Sequence, residues 1–156
     1  MAVTRDNLEI TPGEWDEATN KFTGSAKITY PNGDKYSGDI DKNSRNGSGM
    51  YWYSDGNMYE GKWVKGNKEG KGKLSYADGS VYNGMWKANK KNGPGMHIYS
   101  NGDEFKGEFQ DGLATGKGEY RFFDGRFYKG QFLDGKLHGS GELKYPNEDT
   151  FNGTFE

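Results

Sequence analysis

Side chains able to make or break covalent bonds are scarce in this chain. Its 156 residues include two histidines, His97 and His138, and no cysteine. Acid–base catalysis needs titratable groups gathered around a reacting atom, and nucleophilic catalysis needs a Ser, Cys or Lys beside a base. Neither pattern is present: His97 occupies a place that Leu74 holds one unit earlier, and His138 lies in a connecting segment. The Gly-x-Gly pairs lead into strands, not helices, so they lack the context of a phosphate-binding loop. Metal-ligand spacing is absent, and no cofactor is expected. The chain is instead rich in rings and charges, with 15% Phe, Trp and Tyr, 26 Gly and 21 Lys and Arg. Such residues stack, hold cations over rings and pair ions, which is the chemistry of binding.

These residues recur at a fixed interval. An aromatic followed two residues later by Gly occurs at Tyr36, Tyr59, Tyr82, Phe105, Tyr128 and Phe151, a step of 23 residues each time. Two residues beyond each Gly stands a large apolar residue: Ile40, Trp63, Trp86, Phe109, Phe132 and Phe155. A second series, Gly24, Gly47, Gly70, Gly93, Gly116 and Gly139, holds the same phase, with another Gly two positions on except where Ala26 replaces it. Fixed-period self-similarity marks a repeat architecture, in which each unit buries its apolar face on its neighbours. The expected units are 24–40, 47–63, 70–86, 93–109, 116–132 and 139–155, preceded by an N-terminal cap over 1–23 in which Gly13-Glu14-Trp15 echoes Gly61-Lys62-Trp63.

Each unit alternates with period two on both sides of a turn such as Ala77-Asp78-Gly79, the mark of a β-hairpin. A two-residue loop would set Leu74 across from Asn83. A three-residue loop, a type I turn closed by Gly79 in the left-handed conformation, sets Leu74 across from Tyr82 and Gly72 across from Gly84, which keeps like with like. Glu148 replaces the turn Gly in the last unit, predicting strain of about 1 kcal/mol or a differently built turn. The six-residue links between units are too short for helices, and almost no helix is expected.

This register gathers the signature residues on one face. Tyr36, Tyr59, Trp63, Tyr82, Trp86, Phe105, Phe109, Tyr128 and Phe132, with His97 in the Leu74 place, are candidates both for the core between units and for a binding surface; recurrence in every unit favours core. The other face is mostly polar, but Met50, Trp52, Met58, Val81, Met85, Met96 and Ile98 interrupt it, with Trp52 across from Met58. Exposed Trp and Met suit a partner or dimer patch. Lys62, Lys65, Lys68, Lys71, Lys73, Lys87, Lys90 and Lys91 form a basic band that could meet anionic lipid or an acidic partner, against the plainer reading of a solvated face.

Mean hydropathy is -1.10 and net charge -2. The first argues against a simple buried centre, while the aromatic content argues against disorder. The second removes the electrostatic pull needed for non-specific nucleic-acid binding. Without a 20-residue apolar run or an apolar leader, the expectation is a soluble intracellular protein.

The pattern Tyr-x-Gly-x-Trp, Gly-x-Gly-x-Leu-x-Tyr, Asp-Gly-x-x-Tyr, seen from Tyr59 to Tyr82, resembles the membrane occupation and recognition nexus (MORN) repeat over residues 24–155, and His138-Gly139-Ser140-Gly141 matches a frequent family variant. Ile40 and Glu148 depart from it. The resemblance implies an all-β fold, an elongated single-layer rod of six antiparallel hairpins with a lengthwise aromatic and Gly-lined groove. It implies a cytoplasmic, non-catalytic adaptor, associated with cytoskeleton or cilium, that grips a peptide or helix of a structural or motor partner. Peripheral binding to anionic phospholipid is the alternative, and homodimers through the sheet ends are a further expectation. Bacterial cell-wall repeats share the ingredients but favour a period near 20 and Trp-Tyr-Tyr runs, which this chain lacks.

Overall fold

The computed structural model describes Thr4, Asp6, Leu8, Glu9 and residues 13–156, so most of the expected cap lies outside the described residues. The described chain is all-β, built of consecutive antiparallel strands, and no α-helix occurs among the described residues. It divides into two compact units, residues 1–77 with 87–89, and residues 78–86 with 90–156.

In the first unit, β3 (Lys21–Thr29), β4 (Lys35–Asp41), β5 (Ser44–Trp52), β6 (Met58–Val64) and β7 (Asn67–Ser75) pair in chain order. The short β1 (Leu8–Glu9) and β2 (Gly13–Asp16) both line the edge of β3, with Trp15 opposite Phe22. In the second unit, β8 (Val81–Lys87), β9 (Lys90–Ile98), β10 (Glu104–Gln110), β11 (Leu113–Arg121), β12 (Phe127–Leu133), β13 (Lys136–Lys144) and β14 (Thr150–Phe155) likewise follow in order.

The three-residue loop is the one adopted. Tyr53 N–H donates to Asn57 O and Gly56 N–H to Tyr53 O, at 2.9 and 3.0 Å, with Gly56 at φ +92°. Pairing then sets Tyr51 across from Tyr59, Gly49 from Gly61, and Trp52 from Met58. The last hairpin keeps this turn: Glu148 takes φ +70° and its N–H still donates to Tyr145 O. Of the two outcomes expected there, the turn is not rebuilt, and a non-Gly residue occupies the left-handed region.

The links differ from expectation. Expected to lie outside the hairpins, they instead continue the strands, closed by two-residue turns at Lys42–Asn43 and Ala88–Asn89, whose residues all have positive φ, and similarly at Asp111–Gly112 and Asp134–Gly135. Positive φ at both positions is the type I′ geometry that matches strand twist. Past the turns at Lys42–Asn43, Lys65–Gly66, Asp111–Gly112 and Asp134–Gly135 the ladder slips. Between the pairs Gly107–Gly118 and Glu108–Thr115, Gly116 and Lys117 are looped out of register, and Gly116 sits at φ +64°. Here glycine is favoured because a side chain in that region crowds its own carbonyl, at a cost of about 1–2 kcal/mol. The second residue of each link turn also clasps the hairpin before it: the N–H groups of Asn43, Gly66 and Asn89 donate to the carbonyls of Phe22, Arg45 and Lys68, and those of Gly112 and Gly135 to Lys91 and Ala114.

The core lies on the signature face. Trp63 meets Tyr36, Tyr51 and Tyr59 at centroid distances of 5.8, 5.8 and 5.0 Å, the first and last edge-on. In the second unit the edge-on series runs Trp86, Tyr82, Phe109, Phe105, Phe132, Tyr128 and Phe155. Edge-to-face pairs add about 0.5–1.5 kcal/mol beyond burial. The Tyr rings lie over the paired glycines, and each hydroxyl donates to a backbone oxygen three residues on: Tyr36 to Asp39, Tyr59 to Lys62, Tyr82 to Met85 and Tyr128 to Gln131.

Candidate functional site

Nine of the ten candidate face residues, the recurring aromatics from Tyr36 to Phe132, are buried, which makes them core. His97 alone is half-buried. Over the core rings of this face lies a second layer of partly exposed side chains. In the first unit it consists of Tyr53, Arg45 and Lys68, all half-buried. The Arg45 guanidinium lies 4.4 Å over Trp63 and 4.8 Å over Tyr51 and donates to Gly66 O at 2.9 Å. Lys68 Nζ lies 5.4 and 5.5 Å over Tyr59 and Tyr53 and donates to the Tyr53 hydroxyl at 3.1 Å. Burial, with Arg45 nearby, pushes the Lys68 amine down to about 8.

In the second unit the corresponding layer is Lys91, His97, Tyr99 and Tyr120. His97 stacks on Tyr99 at 4.3 Å, and Lys91 Nζ stands 3.4 Å from its Nδ1 and 4.8 Å over Tyr82. Burial first, then the Lys91 charge, lower the His97 pKa to about 4 against the opposing pull of Asp78. The fold therefore holds this ring neutral, whereas the unfolded chain takes up a proton near pH 6.5. The contribution of this ring to stability should fall as pH drops from about 6.5 to about 4 and stay constant below. His97→Leu, the residue found at Leu74, should flatten the midpoint of chemical unfolding across that window; an unchanged profile would place the acid sensitivity elsewhere.

Lys68 and Lys91 thus leave the basic band read from the sequence. Both lie on the aromatic face, because the links are strands and extend that face beyond the units. In the first unit Lys62, Lys71 and Lys73 are exposed on the opposite face, where Lys73 is across from Glu60 and Lys62 donates to Ser48 Oγ at 2.9 Å. Lys65 is in a link turn, Lys87 is exposed beside the next, and Lys90 pairs with Asp111 at 3.6 Å.

The second patch is also divided between the units. Trp52, 36% exposed, lies across from half-buried Met58, and Met50 is across from Glu60. In the second unit Ile98 is exposed opposite Glu104, Met96 is opposite Lys106, and Val81 and Met85 are half-buried.

Two features were not anticipated. Asp34, 7% exposed, staples one hairpin turn to the next by accepting from Tyr51 Oη at 2.6 Å, Ser54 N at 2.8 Å and Asn32 Nδ2 at 2.9 Å; Asp103 does the same with Tyr120, Phe123 and Asn101. Asn57 takes this role toward Ala77 N. Their 23-residue spacing carried the signal, but polar turn residues read as solvated. The other feature is the turn after β11, where Phe123 is 79% exposed between Arg126 over Phe122 and Arg121 over Phe127. Arg126 replaces the stapling acid, and the next turn has Pro146 where a donor N–H would be.

Among the described residues no group of three or more His, Cys, Asp or Glu is placed to hold a metal, and no helix is long and apolar enough to cross a membrane.

A family model for the MORN repeat matches residues 20–35, 36–58, 59–81, 82–104, 105–125 and 128–150. No curated protein matches at a significant level. Among solved structures, the TCP domain of SAS-4 (dCPAP) from Drosophila melanogaster, described in complex with a proline-rich motif of Ana2 (dSTIL), is similar with a TM-score of 0.54 at 18% identity, covering 99% of this chain and 90% of that one. The TCP10 domain of CPAP from Danio rerio gives a TM-score of 0.42 at 12% identity, covering 94% and 82%.

Proposed function

The chain belongs to the MORN-repeat family, and from that premise we propose that it is a non-catalytic adaptor whose aromatic face holds an extended segment of a protein partner. The observation carrying this reading is the layer above the core, where half-exposed Tyr rings and half-buried cations share one face of each compact unit: Tyr53, Arg45 and Lys68 in one, Tyr99, Tyr120 and Lys91 in the other. Tyr, Trp and Arg side chains supply much of the energy at interfaces, the rings because they bury much area for few frozen torsions and Arg because its guanidinium stacks and hydrogen-bonds at once. Such a layer, within either unit, suits an extended ligand better than a compact one. The proline-rich motif bound by the SAS-4 domain, which shares the fold, supports an extended ligand, because polyproline segments dock on aromatic-lined surfaces with little entropy to lose. A cytoskeleton-associated partner is the setting proposed for it.

Titration of the full chain with a proline-rich peptide, followed by backbone and side-chain NMR, tests the assignment. Shifts should concentrate at Tyr53, Lys68, Tyr99 and Tyr120 and spare Trp52 and Met58. The reverse distribution moves the site to the opposite face, and no saturable shift with any extended peptide removes the reading.

A second reading rests on the opposite face of the first unit, where exposed Trp52 shares its side with Lys62, Lys71 and Lys73. Trp at an interface and lysines near anionic headgroups describe a peripheral membrane contact. Flotation with phosphatidylserine vesicles at low salt tests it; a chain that stays at the bottom of the gradient disposes of it.

A further inference from the structure

The tyrosines of the first unit commit their hydroxyl protons in different ways. Tyr36 and Tyr59 donate to the carbonyls of Asp39 and Lys62, and Tyr51 donates to the Asp34 carboxylate. Those protons are used inside the fold. Tyr53, in the half-buried layer above, accepts instead: Lys68 Nζ donates to its oxygen at 3.1 Å. An ammonium carries donors and no lone pair, so it cannot take a proton from the phenol in return. Among the described residues no acceptor is bonded to the Tyr53 O–H.

The direction of that proton follows. With the Lys68 amine on one side of the oxygen, the O–H turns to the other side. Burial lowers the Lys68 amine only to about 8, so at neutral pH it is mainly an ammonium, and burial pushes the Tyr53 phenol up, so it keeps its proton. A hydroxyl that receives a hydrogen bond from a cation is polarised and donates more strongly in turn.

We propose that Tyr53 is the hydrogen-bond donor that reads a main-chain carbonyl of the bound segment, and that Lys68 is a positioning residue that turns the phenol toward it. The inference rests on the reading that the aromatic face holds an extended protein segment, and it names the group by which that segment is recognised. A polyproline II backbone suits such a donor. It has no internal hydrogen bonds, so its carbonyls project unpaired, and its prolines bring no N–H that would need an acceptor. The second unit lacks the device at the corresponding pair, where Tyr99 stands in the place of Tyr53 and Ala114 in the place of Lys68.

The test uses the full chain and a dye-labelled decaproline peptide followed by fluorescence anisotropy, with urea unfolding to show that each variant is folded. Tyr53→Phe, which keeps the ring, should weaken binding about fivefold, the size expected for one lost hydrogen bond. Lys68→Met keeps the aliphatic stem; it should weaken the wild type about threefold and leave Tyr53→Phe unchanged, because Lys68 acts through the hydroxyl. Lys68→Arg, another cation with donors only, should bind as the wild type does. Should Tyr53→Phe fail to fold, 3-fluorotyrosine in place of Tyr53, a stronger donor of nearly the same shape, replaces it and should tighten binding. Unchanged affinity in Tyr53→Phe, or with 3-fluorotyrosine, would overturn the donor assignment while leaving the extended-segment reading intact. Equal losses from Lys68→Met with and without the phenol would overturn the positioning role. Absence of saturable decaproline binding to the wild type would remove the inference together with the reading beneath it.

Discussion

Replacing Gly49 by Ala should destabilise the chain by about 3 kcal/mol or more, measured by urea unfolding. A Cβ at that position would lie 2.5 Å from Tyr36 Cε2 and 2.6 Å from Cζ, against the ring itself. Tyr36 is fully buried, its hydroxyl is committed to Asp39 O, and Trp63 packs against its edge, so the ring has nowhere to retreat. The chain contains its own control. Ala26 occupies the corresponding place in the first hairpin, where the described preceding strand, β2, carries no Tyr ring. Gly49→Ala combined with Tyr36→Leu should accordingly recover part of the loss. A single substitution costing less than about 1 kcal/mol would show that the rings do not require bare backbone beneath them.

Asp34→Ala is the second large effect, expected at about 3 kcal/mol in the same assay. Its carboxylate satisfies the Tyr51 hydroxyl, the Ser54 N–H and the Asn32 amide, and removing it strands these donors at a half-buried turn. Burial alone would raise the Asp34 pKa, but these hydrogen bonds outweigh it and hold the group below its ordinary value. A carboxylate lowered in the folded state contributes stability that is present above the unfolded pKa, near 3.9, and is lost as pH falls below it. The difference between wild type and Asp34→Ala should therefore be largest near neutrality and shrink in acid below about pH 4. A difference that grows in acid would mean that Asp34 does not act as a charged staple.

Hairpin identity, turn type and pairing were legible in the sequence because they rest on local rules. Asn32-Gly33 and Asp55-Gly56 fix the loop, and the alternation either side fixes the face. The link turns were partly legible: Asp111-Gly112 and Asp134-Gly135 are strong type I′ signals, but Lys42-Asn43 and Ala88-Asn89 are weak ones. Leaving the links outside the hairpin units ended each strand too early. It also left Lys68 and Lys91 among the solvated lysines, although continued alternation from Leu74 through Gly70 leads to Lys68 on the aromatic side. Burial of the recurring rings followed from recurrence itself. The half-buried layer above them did not, because whether Tyr53 or Arg45 reaches a core ring depends on contacts between neighbouring strands, which the spacing within one strand does not encode.

The clasp from the second residue of each link turn to the carbonyl of the preceding hairpin uses main-chain atoms at both ends. Its geometry is indifferent to the side chains that occupy the turn, as the exchange of Asn43 for Gly66 and Asn89 for Gly112 illustrates. Duplication or excision of one whole period within a gene would rejoin donor to acceptor without any compensating mutation. Loss of a single codon inside a strand would turn every later side chain of that strand to the wrong face. Unequal recombination is thus a mild event for such a chain and a small in-frame deletion a severe one, so descent is expected to change the number of units more readily than their length.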